Sequence, residues 1–162
     1  LVGAIGNFFH NKGIARVGEA IRGLEGVSGV FAGSGPVPPE AENISLCRRV
    51  SHEEIPILLS ACDLFVLPTL IEGSCNAIVE AMACGLPIVS STGEFNDDLL
   101  SDDNSIRVDP LDVSAIRLAI EHIRNNHALR ESMANRSQVH AQQLDISNRA
   151  SGMLEFMEQH TD

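Results

Sequence analysis

Two glutamates, Glu72 and Glu80, stand eight positions apart around residues that are otherwise small or apolar. Glu80 is the only charged side chain between Glu72 and Glu94, set in the run Gly73-Ser-Cys-Asn-Ala-Ile-Val-Glu-Ala-Met-Ala-Cys-Gly-Leu-Pro-Ile-Val89. A carboxylate in such surroundings is costly unless something hydrogen-bonds it. The spacing puts Glu72 in a loop and Glu80 inside an apolar helix predicted over 74–84. The amides of Cys75, Asn76 and Ala77 then lie at a helix N-terminus, where unbonded N–H groups and the dipole favour an anion. Gly73 lets that backbone approach a ligand closely, and Asn76 and Glu80, four apart, share one face. A phosphate capping the helix could extend a hydroxylated group along it. Vicinal hydroxyls, such as those of ribose, would satisfy both oxygens of Glu80, with Glu72 on the other side of the phosphate. Taken singly, Glu80 is better explained by a pairing with a core arginine or backbone amide, and Glu72 by a solvated loop position. Together they point to a ligand.

Lys12, in Asn7-Phe-Phe-His-Asn-Lys-Gly13, is predicted to open a helix from the same side, where its ammonium could neutralise a diphosphate. Alone it reads as well as a solvated lysine. Gly33-Ser-Gly35 lacks the Gly-x-Gly-x-x-Gly spacing of a dinucleotide fingerprint and means a tight turn.

These residues need a scaffold, and the periodicity supplies one. Strands are predicted over 2–6, 27–32, 44–50, 63–67, 86–90 and 105–108, the last at an edge. Helices are predicted over 12–24, from Ser51 to about Cys62, over 74–84, over 94–100, from Asp112, and over 146–159. Ser51 and Glu54 make a capping box, with Pro56 unfavourable in the following turn. In the helix after Asp112, the buried face is predicted to carry Ala115, Leu118, Ala119, His122 and Ile123. Strands that are continuous apolar runs alternating with helices give an α/β fold: a doubly wound, Rossmann-like parallel sheet covered on both faces. Such domains bind ligands beyond the carboxyl ends of their strands. Asn7–Gly13, Gly33–Pro39, Pro68–Asn76 and Ser91–Phe95 are expected there.

The 162 residues suit one domain, 44% apolar and 20% charged. A formal charge of -11 argues against duplex nucleic acid or an anionic membrane as main partner. It leaves room for a phosphate-bearing small molecule. No apolar run reaches the ~18 residues of a membrane span. Cys47, Cys62, Cys75 and Cys84 make no Cys-x-x-Cys pair, and no Cys/His spacing suits zinc. Free thiols in a reducing cytosol and no metal site are expected. Opening in a strand without initiator Met or signal peptide, the chain reads as a fragment of a longer protein.

Gly6-Asn-Phe-Phe-His-Asn-Lys-Gly13, Phe31-Ala-Gly-Ser-Gly-Pro36, Ala61-Cys-Asp-Leu-Phe-Val-Leu-Pro68 and the block from Glu72 to Val89 occur in one order over roughly the first 125 residues. Together they resemble the C-terminal, donor-binding domain of retaining glycosyltransferases of family four, which is one half of a GT-B fold. Val108-Asp-Pro110 resembles that family's closing elements, and residues 127–162 would be C-terminal helices.

The resemblance implies transfer of a sugar from a UDP- or GDP-linked donor with retention at the anomeric carbon, without metal or other cofactor. Glu80 would hold the ribose hydroxyls and Glu72 would lie beside the transferred sugar as an orienting, electrostatic group. Lys12 would bind the diphosphate. The amides of Cys75, Asn76 and Ala77 would touch sugar hydroxyls and the distal phosphate. Asn7, Gly73 and Ser74 belong to the donor-binding set, and Arg49-Val50 sits where the base-contacting loop lies. Asn7 replaces an arginine common in the family, so one diphosphate-neutralising charge is missing from that segment. Gly93-Glu-Phe-Asn-Asp97 replaces a Gly-Gly-x-Pro-Glu pattern, and Glu72-Gly-Ser-Cys75 replaces Glu-Gly-Phe-Gly. The acceptor, a glycan or lipid-linked glycan, would be held by an N-terminal domain, so the fragment alone binds donor and transfers nothing. Bacterial polysaccharide or lipopolysaccharide synthesis, in the cytoplasm at the inner membrane face, is the setting implied. A GT-B-like epimerase and a non-catalytic nucleotide-binding module are the competing classes.

Overall fold

The computed structural model of the chain describes residues 1–73 and 75–160. Short apolar runs form strands β1 (Val2–Ile5), β2 (Gly29–Ala32), β3 (Ile44–Arg48), β4 (Leu64–Leu67), β5 (Ile88–Ser91) and β6 (Ser105–Val108). Their order is β3-β2-β1-β4-β5-β6, every pairing parallel. This is the strand order of doubly wound, dinucleotide-binding sheets. All four residues of β2, β4 and β5 are buried, whereas the edge strand β3 is half-exposed. A parallel sheet covered on both faces requires that contrast.

Helices α1 (Ile14–Ile21), α2 (Ile55–Ser60), α3 (Asn76–Ala83), α4 (Val113–Asn125), α5 (His127–Gln143) and α6 (Ile146–His160) follow. α1 packs on α4, and α3 on α5 and α2. Phe31, Phe65, Ile78, Met82 and Ile88 are fully buried between the layers. Each such side chain removes enough apolar surface from water to contribute about 1.5–3 kcal/mol. No helix among the described residues is long and apolar enough to cross a membrane.

Four expectations are corrected. Lys12 does not open a helix: it ends a single 3-10 turn, His10–Lys12, and α1 starts only after Gly13, whose φ of 73° breaks the helical path. The helix expected over 94–100 is one 3-10 turn, Glu94–Asn96. Pro56 is accommodated in the first turn of α2, where its missing N–H has no helical acceptor to lose. In α4 the buried face is Ile116, Ala119, Ile120 and Ile123, while Leu118 and His122 are exposed. Two helical stripes overlap there, one residue apart, and the one with three isoleucines buries the more apolar area.

The capping box forms. Glu54 accepts the Ser51 amide at 2.8 Å and the Arg48 guanidinium at 2.7 Å. The hydrogen bond from Arg48, then that from the Ser51 backbone, hold its carboxyl down at about 2. A lowered folded-state pKa contributes stability that is complete above the ordinary carboxylate range and is lost as the pH falls toward about 2. Glu54→Gln should therefore lower the melting temperature at neutral pH, and the gap between variant and wild type should close as the pH approaches 2. Thermal melts across that range check this, and a constant gap would contradict it.

Candidate active site

β1 and β4 are neighbours, but the chain leaves β1 toward β2 and β4 toward β5, so the loops diverge and leave a crevice past the strand ends. A cavity of about 370 Å³ opens there, within the usual range for small-molecule sites. The loop after β1 contributes Gly6, Asn7 and Lys12, and the loop after β2 contributes Gly33 and Ser34. Arg49 and Val50 follow β3, while Glu72, Cys75, Asn76 and Ala77 follow β4, with Ile5, Ile55 and Leu67 as apolar floor.

The first two loops are locked together. The Phe8 amide donates to the Ser34 carbonyl at 3.0 Å, and the Val37 amide to the Phe8 carbonyl at 2.9 Å. A Cβ at Gly33 would stand 1.9 Å from the Gly6 carbonyl oxygen, and one at Gly35 2.6 Å from that of Phe8. Gly33-Ser-Gly35 is therefore more than a tight turn: its glycines let two backbones touch, which carries Ser34 into the cavity. Gly13 has the same office for Lys12, since a Cβ there would lie 2.3 Å from the Pro68 carbonyl oxygen.

The Lys12 ammonium is hydrogen-bonded to and ion-paired with Glu72 Oε1. Their side chains are 25% and 11% exposed, so water screens this pair less than a surface bridge. Both were expected to face a ligand; here they also face each other. Arg48 is engaged by Glu54, whereas the Arg49 guanidinium has no carboxylate partner among the described residues. Lys12 and Arg49 are thus the two cations of the cavity wall.

At the tip of α3, Cys75 occupies the N-cap position without a side-chain cap bond; the Ile78 amide donates to the Cys75 carbonyl at 3.0 Å, which leaves the amides of Asn76 and Ala77 for another acceptor. Burial pushes its thiol up to about 11, so it stays a protonated, poor nucleophile at neutral pH. Glu80 sits one turn below Asn76 and is half-buried. It lies beyond the residues that line the cavity. Among the described residues nothing hydrogen-bonds or ion-pairs with its carboxylate. The alternative, an internal pairing with a core arginine, is not seen among the described residues. Gly73 does not line the cavity, and a Cβ on it would meet nothing within 4 Å. Ser74 lies outside the described residues. Ser34 and Ile55 line the cavity without having been singled out from sequence. A glycine pair directly after a strand was a signal for Ser34, and nothing local marked Ile55.

The sequence profile described as Glycosyl transferases group 1 matches residues 1–126. The chain belongs to that family. It is 25% identical over 134 residues to the putative teichuronic acid biosynthesis glycosyltransferase TuaC of Bacillus subtilis, covering 81% of this chain and 34% of that protein. It is 33% identical over 99 residues to the O-antigen chain mannosyltransferase B of Escherichia coli, covering 61% and 26%. With the lipopolysaccharide core biosynthesis glycosyltransferase LpsE of Rhizobium meliloti it shares 29% over 145 residues, covering 84% and 43%. The chain thus spans less than half the length of each of these relatives. Among solved structures, Anabaena HepE in complex with UDP superposes with a TM-score of 0.82 at 18% identity, over 98% of this chain and 48% of that one. The C-terminal domain of the group 1 family protein LpcC from Francisella tularensis superposes with a TM-score of 0.73 at 18% identity, over 87% and 83%. At these identities the likeness is one of fold, and the Rossmann-like sheet is that of GT-B glycosyltransferases.

Proposed function

We propose that this chain is the donor-binding half of a retaining glycosyltransferase that moves a sugar from a UDP- or GDP-linked donor to a glycan or lipid-linked glycan held by an N-terminal domain. The observation that carries it is the convergence of Lys12, Glu72, Arg49 and the open tip of α3 on one cavity at the switch point of the sheet. The superposition on an isolated C-terminal domain of a family member supports the donor-half reading. The UDP in HepE supports a nucleotide ligand. The teichuronic acid, O-antigen and lipopolysaccharide relatives support bacterial polysaccharide synthesis, which would place the work at the cytoplasmic face of the membrane.

Departure of the nucleoside diphosphate is the demanding step, because negative charge builds on the leaving oxygens as the sugar becomes oxocarbenium-like. Groups already aimed at that charge lower the barrier most. Lys12 and the amides of Cys75, Asn76 and Ala77, which share the cavity wall, would be those groups. An arriving diphosphate draws the ammonium away from Glu72, and the freed carboxylate then faces the cationic sugar carbon. Asn7 supplies no charge, so Arg49 is the second cation within the cavity wall. Its guanidinium and Val50 would border the base. The Glu80 carboxylate, without a partner among the described residues, is what two ribose hydroxyls would satisfy. The chain by itself would bind donor weakly and transfer nothing, since acceptor and general base come from elsewhere.

Glu80→Ala should weaken UDP or GDP binding by about 1–3 kcal/mol, the scale of hydrogen bonds to a charged group. Calorimetric titration measures it, and an unchanged affinity would remove Glu80 from the ribose role.

A further inference from the structure

The ion pair of Lys12 and Glu72 joins two loops sixty residues apart in sequence, and something must set their spacing. Thr69 is fully buried. Its hydroxyl lies 3.1 Å from the Asn11 carbonyl oxygen and 3.1 Å from that of Ile71. Those carbonyls belong to the residues immediately before Lys12 and Glu72. Thr69 is itself fixed from the sheet, because Ser91 at the end of β5 donates its hydroxyl to the Thr69 carbonyl at 2.6 Å.

We propose that Thr69 is a positioning residue, whose hydroxyl sets the separation of Lys12 and Glu72 on which sugar transfer depends. This rests on the donor-site reading above. A hydroxyl has a single proton to give, so the two carbonyls share it. They are not equally dependent on it. The Asn11 carbonyl also accepts the Leu70 amide at 2.7 Å, whereas Thr69 is the only hydrogen-bond donor to the Ile71 carbonyl among the described residues. Removing the hydroxyl therefore releases the Glu72 side of the site and leaves the Lys12 side held. The diphosphate contact survives and the alignment of the carboxylate with the sugar does not. A misplacement of about 1 Å in such a site can lower turnover roughly 100-fold.

The test compares Thr69→Val, which keeps the branched shape, with Thr69→Ser, which keeps the hydroxyl. In the chain, the carbonyl carbon shifts of Asn11 and Ile71 are read through the amides of Lys12 and Glu72. In the full-length protein, transfer is measured, and UDP and GDP affinities are measured in both. Thr69→Val should move the Ile71 carbonyl upfield far more than that of Asn11. It should keep nucleotide affinity within about twofold and reduce transfer by about 10–100-fold. Thr69→Ser should match wild type in all three. An unmoved Ile71 carbonyl, a Thr69→Ser variant as impaired as Thr69→Val, or a parallel loss of nucleotide affinity would each overturn the proposal. A wild-type chain indifferent to every nucleotide would instead overturn the donor-site reading, and the carbonyl shifts would still decide whether Thr69 braces the two loops.

Discussion

Gly33→Ala should lower the melting temperature by about 6–12 °C. The added Cβ would stand 1.9 Å from the Gly6 carbonyl oxygen, a separation no side-chain rotation relieves because the backbone fixes where a Cβ stands and the oxygen is itself backbone. Moving the loop after β2 away from the loop after β1 would strain the Phe8–Ser34 and Val37–Phe8 hydrogen bonds. Overpacking of this kind costs about 3 kcal/mol or more. In a domain of this size each kcal/mol is worth about 2–4 °C. Gly73→Ala is the control, since a Cβ there meets nothing within 4 Å and its backbone is not left-handed. It should leave the melting temperature within about 2 °C. Scanning calorimetry of both variants decides it. Equal melting temperatures for Gly33→Ala and wild type would mean that the loops are not in the contact described.

Lys12→Met should cut transfer by the full-length protein by about 10²–10³-fold, the range for losing a group aimed at developing negative charge. Nucleoside diphosphate affinity should fall as well, because Arg49 would be the remaining cation of the cavity wall. Removing the ammonium also leaves the Glu72 carboxylate, only 11% exposed, without its ion partner and with only the weak Cys75 thiol donor at 4.0 Å. That should destabilise the fold by about 1–3 kcal/mol. The double variant Lys12→Met, Glu72→Gln removes the stranded charge and should recover most of the stability while remaining inactive. Lys12→Arg should not restore full activity, since a planar fork is a poor substitute for a compact ammonium. Steady-state kinetics with chemical denaturation separate the two effects. A Lys12→Met protein retaining transfer within a few-fold of wild type would exclude the charge-stabilising role.

The sheet was legible because its strands are apolar runs too short for helices and lack alternation, as Leu64–Leu67 shows. The capping box at Ser51 was legible because its reciprocal bonds span three residues. The α4 face was misread because Leu118 belongs to a helical stripe that competes with Ile116, Ile120 and Ile123, and periodicity alone does not rank two overlapping stripes. In the site, Glu72, Lys12 and the tip of α3 stood out by residue type and spacing. The pairing of Glu72 with Lys12 did not, since it depends on how two loops are brought together across the sheet. Thr69 was invisible for the same reason: its hydroxyl acts on a carbonyl 58 residues away. Gly33 and Gly35 were visible as glycines but not as a contact between two backbones. Glu80 was visible as the one charge in an apolar run, but its distance from the cavity lining follows from where the neighbouring loops end, which no local pattern encodes.

The most direct measurement is a titration of the isotope-labelled chain with UDP and GDP, followed residue by residue by NMR. Saturable shifts are expected at Lys12, Arg49, Cys75, Asn76, Ala77 and Glu80 with at least one of the two nucleotides. No response to either, or responses confined to surfaces away from the ends of β1 and β4, would contradict the donor-site reading.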